Sequence, residues 1–132
     1  MENKAFSVNI PNTSMLDKTD FCGIVSGKEV NKAILLEILF GQLVNVPMIK
    51  ECPVCLECKM VKEFSIQHRQ VFIGEVVETY VDEEYVVEKE GRKMISDMGK
   101  LDLVIYSLDN RYYRIGDIIG TGYLEGRKIK HK

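Results

Sequence analysis

Residues 67–80 read Gln67-His68-Arg69-Gln70-Val71-Phe72-Ile73-Gly74-Glu75-Val76-Val77-Glu78-Thr79-Tyr80. From Val71 to Thr79 the side chains alternate, and β-branched and aromatic residues are frequent. This period of two predicts a β-strand with two distinguishable faces. Gly74 interrupts the pattern, which indicates a β-bulge or a close approach of backbone.

The residues just upstream predict the partner of this strand. Residues 54–62 also alternate, and residues 63–66 can supply the connection. We therefore expect an antiparallel hairpin at the centre of a β-rich domain, with His68 near its turn end.

Size and composition narrow the class of protein. The chain has 132 residues, of which 45% are hydrophobic and 29% charged, as expected for one soluble domain over residues 1–132. A net charge of −2 gives no general reason to expect nucleic acid or an anionic membrane as a partner. No apolar run approaches the ~20 residues of a membrane span, and the first residues show no secretory leader. With its four cysteines expected as thiols, the chain is predicted to be cytoplasmic.

The first half of the chain predicts one further strand and one short helix. Residues 5–10 alternate and stop at a proline, which favours a strand. Ser14 can cap a short helix that ends at Ser26-Gly27. Residues 34–40 are almost continuously apolar, and a helix and a buried strand are equal alternatives there.

The second half predicts short strands separated by turns. Residues 88–100 are charged and predict a solvated loop with one helical turn at most, whereas residues 101–108 and 111–115 are β-prone. Residues 116–126 contain glycine at several positions, and residues 127–132 form a basic tail. The fold class predicted is therefore mainly β, a barrel or sandwich with one or two short helices.

Cys52, Cys55 and Cys58 form two overlapping C-x-x-C spacings. Such thiolates suit zinc or an iron–sulfur cluster. Against a metal site, the local run lacks a fourth ligand, and alternation along a strand would place Cys55 on the face opposite the other two. We favour packed strand cysteines and assign no metal ligand.

Three other residues are candidates for binding an anion. Lys32 follows the end of the expected helix and could contact a phosphate as a point charge, as could Lys28. His68 could donate to a phosphate or to a polar ring edge, although an exposed turn histidine without a ligand is the simpler interpretation.

No catalytic set can be assigned from the residues. The stretch from Gly120 to Gly126 has the wrong glycine spacing for a dinucleotide loop and is followed by too few residues for a helix and strand. There is no Gly-x-Ser-x-Gly motif, and the two histidines stand at unrelated positions.

One known family shares several stretches with this chain in the same order. They are residues 2–11, 20–27, 31–32, 47–58, 68–76, 112–116 and 118–120. Across nearly its whole length the sequence therefore resembles the flavoredoxin-like members of the flavin reductase-like, FMN-binding split-barrel family.

This resemblance implies a Greek-key split β-barrel that forms a homodimer and holds FMN near the subunit interface. It implies a redox protein that passes electrons from reduced nicotinamide, NAD(P)H, or from a protein donor, by way of FMN. The activity implied is that of an NAD(P)H-dependent flavin oxidoreductase.

The resemblance also assigns three cofactor-contacting residues. Lys32 and His68 take the places of the family's lysine and histidine, and Tyr106 takes the place of an aromatic residue near the flavin. A lysine suits the phosphate, and an imidazole can donate to phosphate or flavin oxygens.

Family members carry a segment ahead of the strand that contains Phe6, and it supplies the first barrel strands and a phosphate-binding turn. The sequence here has no such segment, so we expect a barrel that is incomplete at its N-terminal end. Its unpaired strand edges would then be available for β-pairing with another chain. One alternative function is therefore a truncated split-barrel remnant that binds no flavin and acts as a non-catalytic dimerising module. Another is a metal or thiol-redox module built on Cys52, Cys55 and Cys58.

Overall fold

The computed structural model describes residues 4–29 and 31–130, and most of its regular structure is β. The strands in these residues are β1 (Ala5–Ile10), β2 (Ile38–Phe40), β3 (Pro47–Ile49), β4 (Val54–Ile66), β5 (Arg69–Val81), β6 (Val86–Lys89), β7 (Arg92–Ile95), β8 (Val104–Tyr106) and β9 (Tyr112–Arg114). The helices are α1 (Leu16–Ile24) and α2 (Arg127–Lys130), with short 3₁₀ turns between elements. The end of the expected basic tail, His131 and Lys132, lies outside the described residues.

The central sheet contains three antiparallel strands in the order β1-β4-β5. It confirms the predicted hairpin, but the predicted connection was wrong. Residues 63–66 continue β4 as far as the pair Ile66↔Arg69, and only Gln67 and His68 form the turn. The strand continues because Phe64 and Ile66 are β-prone, while Gln67 alone takes the left-handed conformation, with φ of 52°.

Gly74 lies in β5 against the side chains of two neighbouring strands. A Cβ placed on it would lie 2.5 Å from Cζ of Phe6 and 3.0 Å from Cβ of Cys58. Its register partner is Met60, and the pairing shifts between Met60 and Lys62. The predicted close approach and bulge are both present, and they let the ring of Phe6 lie against β5.

Helix α1 ends at Ile24, immediately before Ser26-Gly27, as predicted. Its predicted cap was wrong. No side chain caps the first turn of α1, and a 3₁₀ turn over Thr13–Met15 leads into it. Ser14 instead lies within that 3₁₀ turn and donates a hydrogen bond from Oγ to Oδ1 of Asn12 at 2.5 Å, because α1 begins at Leu16, one residue later than a cap at Ser14 requires.

Two apolar or charged segments fold differently from their sequence patterns. Residues 34–40 are neither one helix nor a buried strand, since they divide into the 3₁₀ turn Lys32–Leu35 and strand β2, both largely exposed. Residues 88–100 were expected to be a loop with one helical turn at most; the 3₁₀ turn Met98–Leu101 agrees with this, but the β6–β7 hairpin contradicts it. Glu90 and Gly91 both take positive φ, 53° and 74°, the geometry of a tight hairpin turn.

The core is small and lies between the start of α1, β3 and the start of β4. Its buried cluster consists of Met15, Met48, Cys52 and Cys55, against which Leu36, Leu39, Ile49 and Tyr80 pack.

Residues 116–126 are exposed and contain no strand or helix. In the part of the chain that is described, no helix has the length and apolar character needed to cross a membrane.

Candidate functional site

Lys32 begins a 3₁₀ turn and reaches back to helix α1. Its Nζ donates a hydrogen bond to the carbonyl oxygen of Cys22 at 2.7 Å. Carbonyls in the last turn of a helix lack intrahelical partners and carry partial negative charge, so an ammonium stabilises this end of α1. Because an ammonium has three donors, Lys32 keeps two N–H groups for a further acceptor such as a phosphate.

Tyr106 lies in β8 beside Tyr112 of β9. Their ring centroids are 5.2 Å apart and the ring planes are inclined at 50°. The hydroxyl of Tyr106 donates to Oδ1 of Asn110 at 2.7 Å, and that of Tyr112 donates to Oδ1 of Asp20 in α1 at 2.8 Å. The hydrogen bond to Asp20 is the main reason that the pKa of Tyr112 is raised, with burial contributing further.

The structure links two of the three predicted cofactor residues to the same helix. Lys32 is bonded to α1 directly, and Tyr106 is linked to it through Tyr112. His68 instead lies in the exposed turn between β4 and β5. In the part of the chain that the structure describes, no hydrogen bond, ion pair or ring contact joins Lys32, His68 and Tyr106 to one another.

An open cleft lies between α1 and the β8–β9 hairpin. It comprises two neighbouring cavities of about 520 and 360 Å³, which share Thr13, Ser14, Leu16 and Tyr112. Asp17 and Asp20 line the first cavity. Arg114 lines the second, but its Nε is paired with Oδ1 of Asp102 at 2.7 Å. The cleft therefore suits an uncharged aromatic ring better than it suits a phosphate.

A second open cavity, of about 650 Å³, lies between the end of β5 and the β6–β7 hairpin. Its apolar lining includes Val81, Val86, Met94 and Ile95, and its charged lining is Glu83, Glu88 and Lys93. We call it the acidic groove because carboxylates outnumber the ammonium. A phosphate would meet unfavourable charge there, since like charges repel in a partly enclosed site.

Glu57 is a buried carboxylate that the sequence pattern did not single out. It lies in β4 with 0% of its surface exposed, and it accepts a hydrogen bond from Oη of Tyr80 at 2.7 Å. The backbone N–H groups of Gln42 and Leu43 donate to it at 3.0 and 2.9 Å. Burial by itself raises the pKa of Glu57, but these three hydrogen bonds outweigh it and the pKa is lowered.

The charged carboxylate of Glu57 holds the turn after β2 against the sheet. Gly41 lies so close that a Cβ there would come within 2.6 Å of Oε1 of Glu57 and would also contact Oη of Tyr80. One sequence signal was available, since Glu57 is the lone charged residue among the apolar residues and cysteines of 52–58. A charge in such a run indicates a buried, hydrogen-bonded group.

The three neighbouring cysteines are all buried, and the prediction that Cys55 and Cys58 lie on opposite faces of the strand agrees with the structure, whereas the predicted place of Cys52 was wrong. Because β4 begins only at Val54, Cys52 lies in the preceding turn and packs in the same cluster as Cys55. The Cys52 thiol donates to Sδ of Met15 at 3.7 Å, and the Cys55 thiol donates to the carbonyl of Ile49 at 3.4 Å.

Burial makes these cysteines neutral thiols. It raises the pKa of Cys52 to about 12, with the nearby Cys55, Glu51 and Asp82 adding to the effect. Burial likewise raises the pKa of Cys55 and Cys58. Among residues 4–29 and 31–130, no group of three or more His, Cys, Asp or Glu side chains is arranged to hold a metal ion.

Comparison with protein families shows that residues 1–106 match the flavin reductase like domain. The chain belongs to this family. A solved structure, flavoredoxin from Methanosarcina acetivorans, is 38% identical in sequence and superposes with a TM-score of 0.87, over 97% of this chain and 67% of that chain. The flavoredoxin of Desulfovibrio vulgaris (Miyazaki F) is 30% identical with a TM-score of 0.80, over 95% of this chain and 66% of that chain.

These superpositions confirm both the family resemblance and the predicted fold class, a mainly β protein of the split-barrel type with short helices. Among curated proteins, an uncharacterized protein of Archaeoglobus fulgidus is 35% identical over 74 residues. That match covers 54% of this chain and 42% of the relative, so the chain spans less than half the length of this relative.

Proposed function

We propose that this protein binds FMN and acts as a redox protein of the flavin reductase or flavoredoxin type. The main support for this proposal is the superposition on two flavoredoxins, which extends over nearly the whole chain. When bound, FMN would accept electrons from NAD(P)H or from a protein donor and pass them on. We also propose that two copies associate. We further propose that the protein is cytoplasmic, because its four cysteines are free thiols and reduced thiols are typical of that compartment.

Lys32 is proposed to hold the FMN phosphate. Its ammonium is anchored to Cys22 by one hydrogen bond, which fixes its position and leaves two donors for phosphate oxygens. A point charge of this kind is the usual partner for phosphate when no arginine fork is present.

Tyr106 and Tyr112 are proposed to contact the flavin ring. The ring of Tyr112 forms part of one wall of a cleft whose carboxylates disfavour a phosphate but not an uncharged heterocycle, and the ring of Tyr106 packs against Tyr112. The hydrogen bond from Tyr112 to Asp20 fixes this wall against α1, the same helix that anchors Lys32.

His68 is proposed to donate to flavin oxygens from the turn of the β4–β5 hairpin. Because the turn is exposed and His68 has no contact with Lys32 or Tyr106, the imidazole fits a flavin held between two copies better than one held within a single chain. This separation also favours the alternative function, a split-barrel module that associates with itself and binds no flavin.

Titration with FMN decides between the two functions. For a flavin-binding protein we expect the absorption and fluorescence of FMN to change saturably as protein is added, and reduction by NADH or NADPH to bleach the bound flavin. Protein whose addition leaves the FMN spectrum unchanged at all concentrations would contradict the proposal and favour the non-catalytic module.

The role of Lys32 is tested by comparing FMN with riboflavin, which lacks the phosphate. In Lys32→Gln the positive charge is lost, while a polar side chain with N–H donors remains. We expect FMN affinity to fall by roughly 10-fold to 100-fold, the size of a hydrogen bond to a charged group, with riboflavin affinity unchanged. Lys100→Gln, at an exposed position that no prediction assigns to the flavin, is the matched control and should bind both ligands normally. Equal losses for both flavins would show that Lys32 supports the helix and does not contact the phosphate.

A further inference from the structure

The β4–β5 hairpin extends beyond the central sheet as a two-stranded ribbon. Pairing of β1 with β4 ends at Ala5↔Lys59, whereas β4 and β5 remain paired as far as Ile66↔Arg69. We call residues 61–73 the arm. A two-stranded ribbon is marginally stable in water unless one of its faces is covered.

One face of the arm is apolar and flanked by positive charge. The register pairs Lys62↔Ile73, Phe64↔Val71 and Ile66↔Arg69 place these six side chains on the same face, the arm face. The ammonium of Lys62 lies 5.8 Å from the ring centroid of Phe64, in agreement with this register. Phe64, Ile66 and Ile73 are 37%, 56% and 44% exposed, so the apolar surface is open to a partner.

The opposite face of the arm has a different character. It carries Glu63, Ser65, Gln70 and Phe72, and the amide of Gln70 donates to Oε1 of Glu63 at 3.3 Å. Three exposed apolar residues, Phe64, Ile66 and Ile73, therefore lie on the arm face together with two cations, and the exposed Val61 is unpaired at the base of the arm.

The acidic groove has complementary properties. Its lining is apolar at Val81, Val86 and Met94, and its charged side chains are Glu83, Glu88 and Lys93, so that carboxylates remain in excess although Lys93 lies opposite Glu88. A cavity of about 650 Å³ has room for an aromatic and an aliphatic side chain. A positively charged apolar surface is thus a better occupant of this groove than an anionic cofactor.

The arm cannot reach the groove of its own chain. The arm turn lies at the Arg69 end of β5 and the groove at the Val81 end, about 40 Å apart at roughly 3.3 Å per residue. Strand β5 is also an edge of the central sheet. If two β5 strands lie antiparallel about a two-fold axis, the Arg69 end of each comes beside the Val81 end of the other.

We propose that the arm face of one copy docks in the acidic groove of a second copy, and that the exchange is reciprocal. Phe64 and Ile66 then pack on the apolar lining, while Lys62 and Arg69 face Glu83 and Glu88. This inference rests on the self-association proposed above and identifies the surface that forms it.

Charge reversal on each surface tests the pairing. An arm variant carries Lys62→Glu and Arg69→Glu, and a groove variant carries Glu83→Lys and Glu88→Lys. Each should weaken homodimer formation at least about tenfold at low salt, measured by sedimentation velocity, because both contacts in each homodimer become repulsive. Mixing the two variants should restore a dimer, because every arm then meets a groove of opposite charge.

Two control variants separate a specific contact at this surface from a general effect of net charge. Lys28→Glu with Lys100→Glu changes the net charge as much as the arm variant does, at exposed positions outside both surfaces, and should associate like the unaltered chain. Phe64→Ser removes the proposed anchor without changing charge and should also weaken the dimer. If the charge variants fail to fold, the Phe64→Ser result decides whether the arm takes part in the dimer contact.

Three results would overturn the inference. A monomer at all concentrations of the unaltered chain would remove the self-association itself, and FMN titration of the same sample shows separately whether flavin binding holds. Variants that dimerise normally would place the interface elsewhere. A mixture of arm and groove variants that stays monomeric would show that the two surfaces do not meet.

Discussion

Oη of Tyr80 donates a hydrogen bond to Oε1 of Glu57 at 2.7 Å. The residue opposite Glu57 in the register is Glu78, so Tyr80 is its diagonal neighbour on the same face of the β4–β5 pair. The same carboxylate accepts from the backbone of Gln42 and Leu43. A cross-strand pair in the central sheet thus fixes a turn that lies between β2 and β3.

Tyr80→Phe keeps the ring and removes one donor from a buried charge. We expect the free energy of unfolding to fall by about 1.5–3 kcal/mol, the range for a hydrogen bond to a charged group, as measured by urea denaturation. Tyr106→Phe removes an exposed hydroxyl bonded to Asn110, and it should change stability by less than about 0.5 kcal/mol. Equal effects for the two variants would contradict the assignment of Glu57 as a buried anion.

The lowered pKa of Glu57 predicts loss of stability in acid. As pH falls, the unfolded chain takes up a proton at this group before the folded chain does. The contribution of Glu57 to the free energy of unfolding is therefore complete above its unfolded pKa of about 4.3. It is lost as the pH falls from that value through the folded pKa. We expect the unaltered protein to lose more unfolding free energy between about pH 6 and pH 3 than Glu57→Gln, which cannot titrate at this position. Parallel pH profiles for the two proteins would show that the carboxylate is not the titrating group.

Gly74→Ala should destabilise the protein. The added Cβ would overlap the ring of Phe6, and relief of such overpacking costs about 1–3 kcal/mol in a well-packed interior. Gly23→Ala is the control, because nothing lies within 4 Å of the corresponding Cβ and alanine is favoured in a helix. Thermal unfolding should therefore show a lower midpoint for the first variant and an unchanged or higher one for the second.

The four cysteines should differ in reactivity. Cys22 is partly exposed, whereas Cys52, Cys55 and Cys58 are buried and burial raises their pKa values. We expect iodoacetamide at about pH 8 to modify Cys22 first in the folded protein, and the others only after unfolding, because the thiolate is the reactive form. Peptide mass spectrometry identifies the sites. Rapid labelling of Cys52 in the folded protein would contradict its burial in the core.

Local patterns were sufficient for part of the fold. Alternation predicted β1, β4 and β5, because a strand with one packed face repeats every two residues. Local patterns did not predict the strand at residues 63–66 or the hairpin within residues 88–100, where strand-forming residues alternate with charged and turn-forming ones. There the pairing partner, and not the local propensity, determines how far a strand extends.

The sequence by itself determined the hairpin, the family and the position of the lysine after helix α1. Only the tertiary structure decided that Cys52 packs beside Cys55, that Lys32 binds the carbonyl of Cys22, and that Glu57 is buried under the turn after β2. It also decided that, among the described residues, no hydrogen bond, ion pair or ring contact joins His68 to Lys32. The physical reason is that each of these facts depends on the register and packing of segments distant in the chain, which no local pattern encodes.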